Sequence, residues 1–111
     1  MSGTFEIDKD KLGEFRFRLN ATNGQTILTS EVYKDKSSCN NGIESVQKNA
    51  PDAHRYEKKE SASGKFIFNL KAANHQVIGT SQLYESVSSR DNGIGSVKKN
   101  APSAKVVDQT S

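Results

Sequence analysis

Asn41-Gly42-Ile43-Glu44-Ser45-Val46-Gln47-Lys48-Asn49-Ala50-Pro51 returns later in the chain as Asn92-Gly93-Ile94-Gly95-Ser96-Val97-Lys98-Lys99-Asn100-Ala101-Pro102. Each copy reads as the body of a short helix. Cys39, Ile43, Val46 and Ala50 recur at helical spacing, as do Ile94, Val97 and Ala101, so one apolar stripe is expected to face a sheet. A helix-interior glycine costs about 1 kcal/mol relative to alanine. The duplication of Gly42 and Gly93 therefore predicts that the helix backbone lies close against the strands. Pro51 and Pro102 stop further helix, and Asn49 and Asn100 are expected to take the left-handed conformation at the helix ends.

Working outward, a shift of about 51 residues also aligns Phe5 with Tyr56, Phe15 with Phe66, Phe17 with Phe68, Leu19 with Leu70, Ile27 with Ile78 and Tyr33 with Tyr84. The chain is a duplication. Two copies cannot stack into a solenoid, but they can form a pseudo-two-fold unit of the kind a fused homodimer would make. At 111 residues the halves must share a core, because a single core below about 70–80 residues rarely supplies more than about 3–5 kcal/mol.

Phe15, Phe17, Leu19 and Ala21 alternate with Glu14, Arg16, Arg18 and Asn20, which marks a strand with one covered and one wet face. Asn23-Gly24 then turns the chain. A three-residue loop, Thr22-Asn23-Gly24 with Gly24 left-handed, is favoured because it places Ile27, rather than Leu28, on the Phe15 face. Ile27 is matched by Ile78, whereas Leu28 is matched by Gly79. Ser37, and Ser88 with Asp91, are the expected helix N-caps. Lys105-Val106-Val107 begins a further strand that needs an edge to pair with, and the first half offers one. Val106 and Val107 should be ordered, Asp108 to Ser111 loose, with a second frayed tail at the amino end.

The expected fold is α+β: two tandem β-β-β-α-β repeats forming one antiparallel sheet, with two helices packed on one face and exchanged C-terminal strands. One domain spans 1–111, with repeat one at about 4–53, repeat two at about 55–104 and a terminal strand at about 105–108. The chain has 32% hydrophobic residues and a mean hydropathy of −0.75. No stretch resembles a signal peptide or a membrane span, and the single Cys39 has no partner for an intramolecular disulfide. These features predict a cytoplasmic protein, and the internal symmetry predicts a monomer or weak dimer.

A glycine before Phe-x-Phe-x-Leu, an Ala-x-Asn-Gly-like turn, Ile-x-x-Ser and Asn-Gly-Ile-x-Ser-Val-x-x-Asn-Ala-Pro occur together in both halves. This combination resembles the YegP-like family of bacterial proteins over nearly the whole chain. The resemblance implies tandem three-strands-helix-strand units that join into one sheet and swap their last strands. It implies no established activity, so no catalytic residue is carried over. His75 departs from the usual turn and Gly95 from the usual second helix, changes expected to loosen that hairpin and helix.

Cys39, His54 and His75 lie far apart and lack metal-ligand spacing, and no elbow, paired-acid or phosphate-cradle motif is present, so neither a metal nor a cofactor is expected. A non-enzymatic structural or binding module is the expectation, its partner unidentified and either protein or nucleic acid. The net charge of +3 is mild. Arg16 and Arg18 on the open face of one half, with Lys65 and Lys71 in the other, form the candidate surface for weak nucleic-acid or polyanion binding. The aromatic residues face the core, unlike the exposed stacking platforms of single-strand binders. Asn41 and Asn92, each beside a helix glycine, are the other candidate binding residues.

Overall fold

The computed structural model describes residues 3–110. Its elements run β1 (Thr4–Lys9), β2 (Phe15–Asn20), β3 (Thr26–Thr29), α1 (Lys36–Asn49), β4 (Tyr56–Glu60), β5 (Phe66–Lys71), β6 (Val77–Thr80), α2 (Val87–Asn100) and β7 (Lys105–Asp108). One seven-stranded sheet is ordered β4-β5-β6-β3-β2-β1-β7. The halves meet where β3 pairs with β6 through Thr29 and Thr80, which occupy equivalent positions in the two repeats. The helices cover one face, and each reaches across the junction: α1 touches β2, β5 and β6, while α2 touches β5 and β3.

The exchanged strand is present, and it makes the sheet mixed rather than wholly antiparallel. β7 lies parallel to β1, with Phe5 beside Val106 and Ile7 beside Asp108. The direction follows from where both strands begin. Gly3 lies against Asn100 at the C-terminal end of α2, and Lys105 N–H donates to Gly3 O at 3.3 Å, so β1 and β7 leave from the same place. The tail is more ordered than expected. Asp108 belongs to β7, Gln109 N–H donates to Ile7 O at 3.0 Å, and Thr110 N–H donates to Asp108 Oδ1 at 2.9 Å. Met1, Ser2 and Ser111 lie outside the described residues. At the opposite margin β4 leaves an open edge, which Lys58, Lys59 and Glu60 make charged and unfavourable for further strand pairing.

Phe5, Ile7, Phe17, Leu19, Phe68 and Leu70 fill the space under the helices with Cys39, Val46 and Val97. The two halves repeat the same aromatic stack. Phe5 meets Phe17 edge-on at 5.8 Å and Tyr33 lies parallel to Phe17 at 6.2 Å; Tyr56, Phe68 and Tyr84 reproduce this at 5.7 and 6.3 Å. The helix glycines belong to this stack. A Cβ on Gly42 would collide with Tyr33 Oη and come within 2.9 Å of its Cζ, and one on Gly93 would collide with Tyr84 in the same way. The close approach expected of the helix is thus made to the tyrosine that follows each third strand.

Several local expectations are corrected. A bulge between Leu19 and Asn20 places Leu28 opposite Leu19, so Leu28 takes the core face that had been expected for Ile27. Both are buried, because the extra residue lets two consecutive side chains turn inward. Leu28 fills the space left by Gly79, where a Cβ would come within 2.6 Å of its Cδ2. The caps are Asp35 and Ser86, which accept from the backbone N–H of Ser38 and Ser89. They lie two residues earlier than Ser37 and Ser88, because the helices begin sooner. Asn49 and Asn100 do not turn left-handed. Each Nδ2 donates back to the carbonyl oxygen of Ser45 or Ser96 at 2.8 Å, and the helix passes into Ala50 or Ala101 with helical backbone. His75 keeps the turn that Gly24 makes, with φ of 70° against 84°.

Two outcomes follow from this packing. Gly42→Ala should lower stability by about 1–3 kcal/mol through overpacking, and Tyr33→Phe in the same chain should recover part of the loss, as read by urea denaturation. The second concerns β7. Lys36 Nζ donates to Asp108 Oδ2 at 2.6 Å, and with Thr110 it holds that carboxyl well below the usual carboxylate range. A depressed folded value contributes stability above the ordinary carboxylate pKa of about 4 and loses it as pH falls further. Protection of the Gln109 amide against hydrogen exchange should therefore decline below about pH 4, and Asp108→Asn should flatten that dependence.

Candidate functional site

On the open face of the sheet, register decides which cations remain available. Glu6 stands opposite Arg18 and Asp8 opposite Arg16. Arg18 takes both carboxylates, at 3.4 Å from Glu6 and 2.8 Å from Asp8. Lys71 is 2.9 Å from Glu57, and Lys65 pairs with Glu85. Arg16 alone among these four makes no ion pair among the described residues. β3 and β6 separate the arginines from the lysines, so the structure does not gather Arg16, Arg18, Lys65 and Lys71 into one basic patch.

On the same face the duplicated Glu6 and Glu57 each anchor a polar chain, built from residues at different positions in the two halves. Glu6 accepts from Asn20 Nδ2 at 2.7 Å, and Asn20 Oδ1 accepts from the Thr26 hydroxyl at 2.7 Å. In the second half Glu57 accepts from Asn69 at 3.1 Å, and Asn69 accepts from Thr80 at 2.8 Å. The hydrogen bond from Lys71, then that from Asn69, holds the Glu57 carboxyl below its usual range. Ser30 and Ser81 are structural: their hydroxyls accept from Phe17 and Phe68 N–H and donate to the next carbonyl. They continue the ladder where β3 and β6 end.

Cys39 is buried on α1, and burial followed by the charge of Asp108 pushes its thiol up to about 11. Its counterpart Arg90 instead lies over the Phe66 ring at 5.7 Å. His54 and His75 are exposed in connections. Among the described residues no three His, Cys, Asp or Glu side chains come together in a way that could hold a metal ion.

Concave surface lies on both sides: a hollow of about 420 Å³ runs along Thr26, Thr29, Val77 and Thr80 where β3 meets β6, and the helical side carries further hollows. A cleft of about 520 Å³ separates α2 from the β2–β3 turn, walled by Thr22, Asn23, Asn92, Ser96, Lys99 and Asn100. A contiguous hollow of about 370 Å³ continues from Asn23 and Asn92 toward Gln25, Gln82 and Ser89. The two volumes are of the size that holds a small molecule. The cleft exists because α2, from the second half, crosses β3 of the first half and brings its flank beside a turn about 70 residues away in sequence. Asn92, singled out from the sequence, lines it. Its counterpart Asn41 is exposed on α1 and makes no side-chain hydrogen bond among the described residues.

The sequence marks two wall residues only as helix features, not as parts of a site. Asn100 is 5% exposed, and its Oδ1 has no donor. Gly95 sits inside α2 at ordinary helical φ, and a Cβ there would meet nothing within 4 Å. The signal for Gly95 was its mismatch with Glu44 in an otherwise matching stretch.

Duplicated halves, one mixed sheet and two helices on a single face define a class of small α+β tandem-repeat proteins. The comparisons agree with that description. A family model, "Domain of unknown function (DUF1508)", matches twice, at residues 10–57 and 61–108. The "UPF0339 protein in ptx operon 5'region" of Stutzerimonas stutzeri is 70% identical over 97% of each chain, and "UPF0339 protein YegP" of Escherichia coli K12 is 56% identical over 99% of this chain and 100% of its own. The solution structure of the E. coli protein covers 99% of this chain and 95% of its own with a TM-score of 0.94 at 55% identity. A Shewanella oneidensis relative superposes with a TM-score of 0.93 at 53% identity, covering 99% of this chain and 93% of its own. The chain belongs to the YegP-like family, and none of these names assigns a biochemical activity.

A buried thiol with a raised pKa should be inert. Cys39 should resist a disulfide reagent at pH 8 in the folded protein and react within minutes in denaturant, as followed by absorbance.

Proposed function

We propose that this chain is a non-enzymatic binding module of the cytoplasm, acting as a monomer, and that its contact site is the cleft between α2 and the β2–β3 turn. The observation that carries this reading is the cleft itself. It is concave, built from both halves, and walled by amides and hydroxyls rather than by a nucleophile beside a base or a pair of carboxylates. The thiol held inside the core, and the absence among the described residues of a helix long and apolar enough to cross a membrane, support the cytoplasmic setting.

The competing reading, polyanion binding through the open face, is disfavoured by pairing. Arg18, Lys65 and Lys71 each already hold a carboxylate, and releasing condensed counterions requires free cations. On a heparin column the protein should elute at low salt, and an Arg16→Ala, Arg18→Ala double variant should elute at the same position. Retention to high salt that the double variant loses would overturn the cleft in favour of the sheet face. In a fragment screen read by amide chemical shifts, hits should cluster at Asn23, Asn92 and Ser96.

A further inference from the structure

We infer that the cleft takes a neutral polyhydroxylated small molecule of the sugar or polyol class, and that Gly95 is the residue that keeps it open; the inference rests on the binding reading above and names its ligand. The chemistry of the wall carries the choice. Asn23, Asn92 and Asn100, with Gln25 and Gln82 in the contiguous hollow, present five carboxamides, and Ser96 adds a hydroxyl. A carboxamide offers a donor and an acceptor from one planar group, which matches a pair of neighbouring hydroxyls that each do both. Asn92, Gln25 and Gln82 have both free among the described residues, while Asn23 Oδ1 accepts from Gln25 N–H and Asn100 Nδ2 donates to Ser96. No carboxylate lines either hollow, so nothing there would hold a metal ion or an amine. One cation, Lys99, lies on the wall. It belongs to the last turn of α2, where the partial negative charge of the helix end offsets it and weakens the case for an anion.

Gly95 is otherwise without a structural reason. Its backbone is helical, no neighbour crowds its missing Cβ, and a glycine there costs the helix about 1 kcal/mol. Gly42 and Gly93, by contrast, are needed to admit tyrosine rings. Position 95 lines the cleft, and the equivalent helix position in the first half carries Glu44. The two helices therefore differ at this position, with a glycine on α2 where its counterpart on α1 has a long acidic side chain. Asn100 contributes an unpaired acceptor. Gly3 lies over that oxygen, and a Cβ on Gly3 would come within 3.2 Å of it.

The test is a titration of the full chain, followed by amide and side-chain NH₂ chemical shifts, with D-glucose, D-ribose and myo-inositol, and with inorganic phosphate and triglycine as probes of other chemistry. At least one polyol should give saturable shifts at Gly95, Ser96 and the Asn92 and Asn100 carboxamides. Gly95→Glu, whose Cβ meets nothing within 4 Å and which raises helix propensity, should keep or raise the melting temperature and, by extending its side chain into the cleft, weaken binding at least tenfold. Asn92→Ala, which breaks no internal hydrogen bond, should weaken it severalfold. Shifts in the cleft from phosphate or triglycine alone would overturn the polyol class and leave the cleft as the site. Polyol binding undiminished by Gly95→Glu would overturn the role of Gly95, and silence in the cleft from every probe would overturn the site itself.

Discussion

The contact on which the rest of the molecule rests is the one between a tyrosine ring and a helix backbone, made once in each half. Tyr33 lies flat on Phe17 with Gly42 directly above it, and Tyr84 does the same between Phe68 and Gly93. Any side chain at the glycine would lift the helix from the sheet. The ring thus sets the height of each helix, and with it the depth of the aliphatic core beneath. It also anchors the segment after the third strand, since Tyr33 and Tyr84 form backbone bridges to Phe15 and Phe66. One residue type, admitted by one missing methyl group, couples the second strand, the third connection and the helix.

Duplication supplies this contact twice, but joining the halves requires that they differ. Leu28 projects into space that its counterpart Gly79 leaves empty. Two leucines at the junction would overlap, and two glycines would leave a void that forfeits apolar contacts. The pairing of a large with a small residue makes the junction complementary. The exchanged strand adds a second asymmetry: β7 completes the edge at β1, while β4 keeps a free edge lined with charge. Gly95 against Glu44 is a third, and it falls at the cleft. Departures from symmetry in this chain mark the places where the halves meet each other or meet solvent in different ways.

Much of this was legible in residue order. The inward aromatic face, the helical stripe and the terminal strand follow from patterns among residues a few positions apart, and the repeat from the match of one half to the other at a shift of about 51 residues. The errors have a common origin. Lys34 to Ser38 holds several candidates for an N-cap, and Asp35 prevails through a bond that local pattern does not rank. Asn100 has two ways to end a helix, and a serine one turn earlier settles the choice by accepting its amide. Simple alternation puts Leu28 on the face away from Phe15, but the bulge at Leu19 turns it inward. The four basic residues looked like a patch until the fold placed a carboxylate within reach of three of them.

Residue order by itself therefore determined that the chain is two copies of one unit, which side chains of each copy turn inward, and that neither copy is complete alone. Tertiary structure decided which charges remain unpaired and where a cleft opens. The physical reason is range: period and capping are set within a few residues, whereas the cleft joins α2 of one half to the β2–β3 turn of the other. That neighbourhood is created only when β3 and β6 meet and carry each helix across the junction.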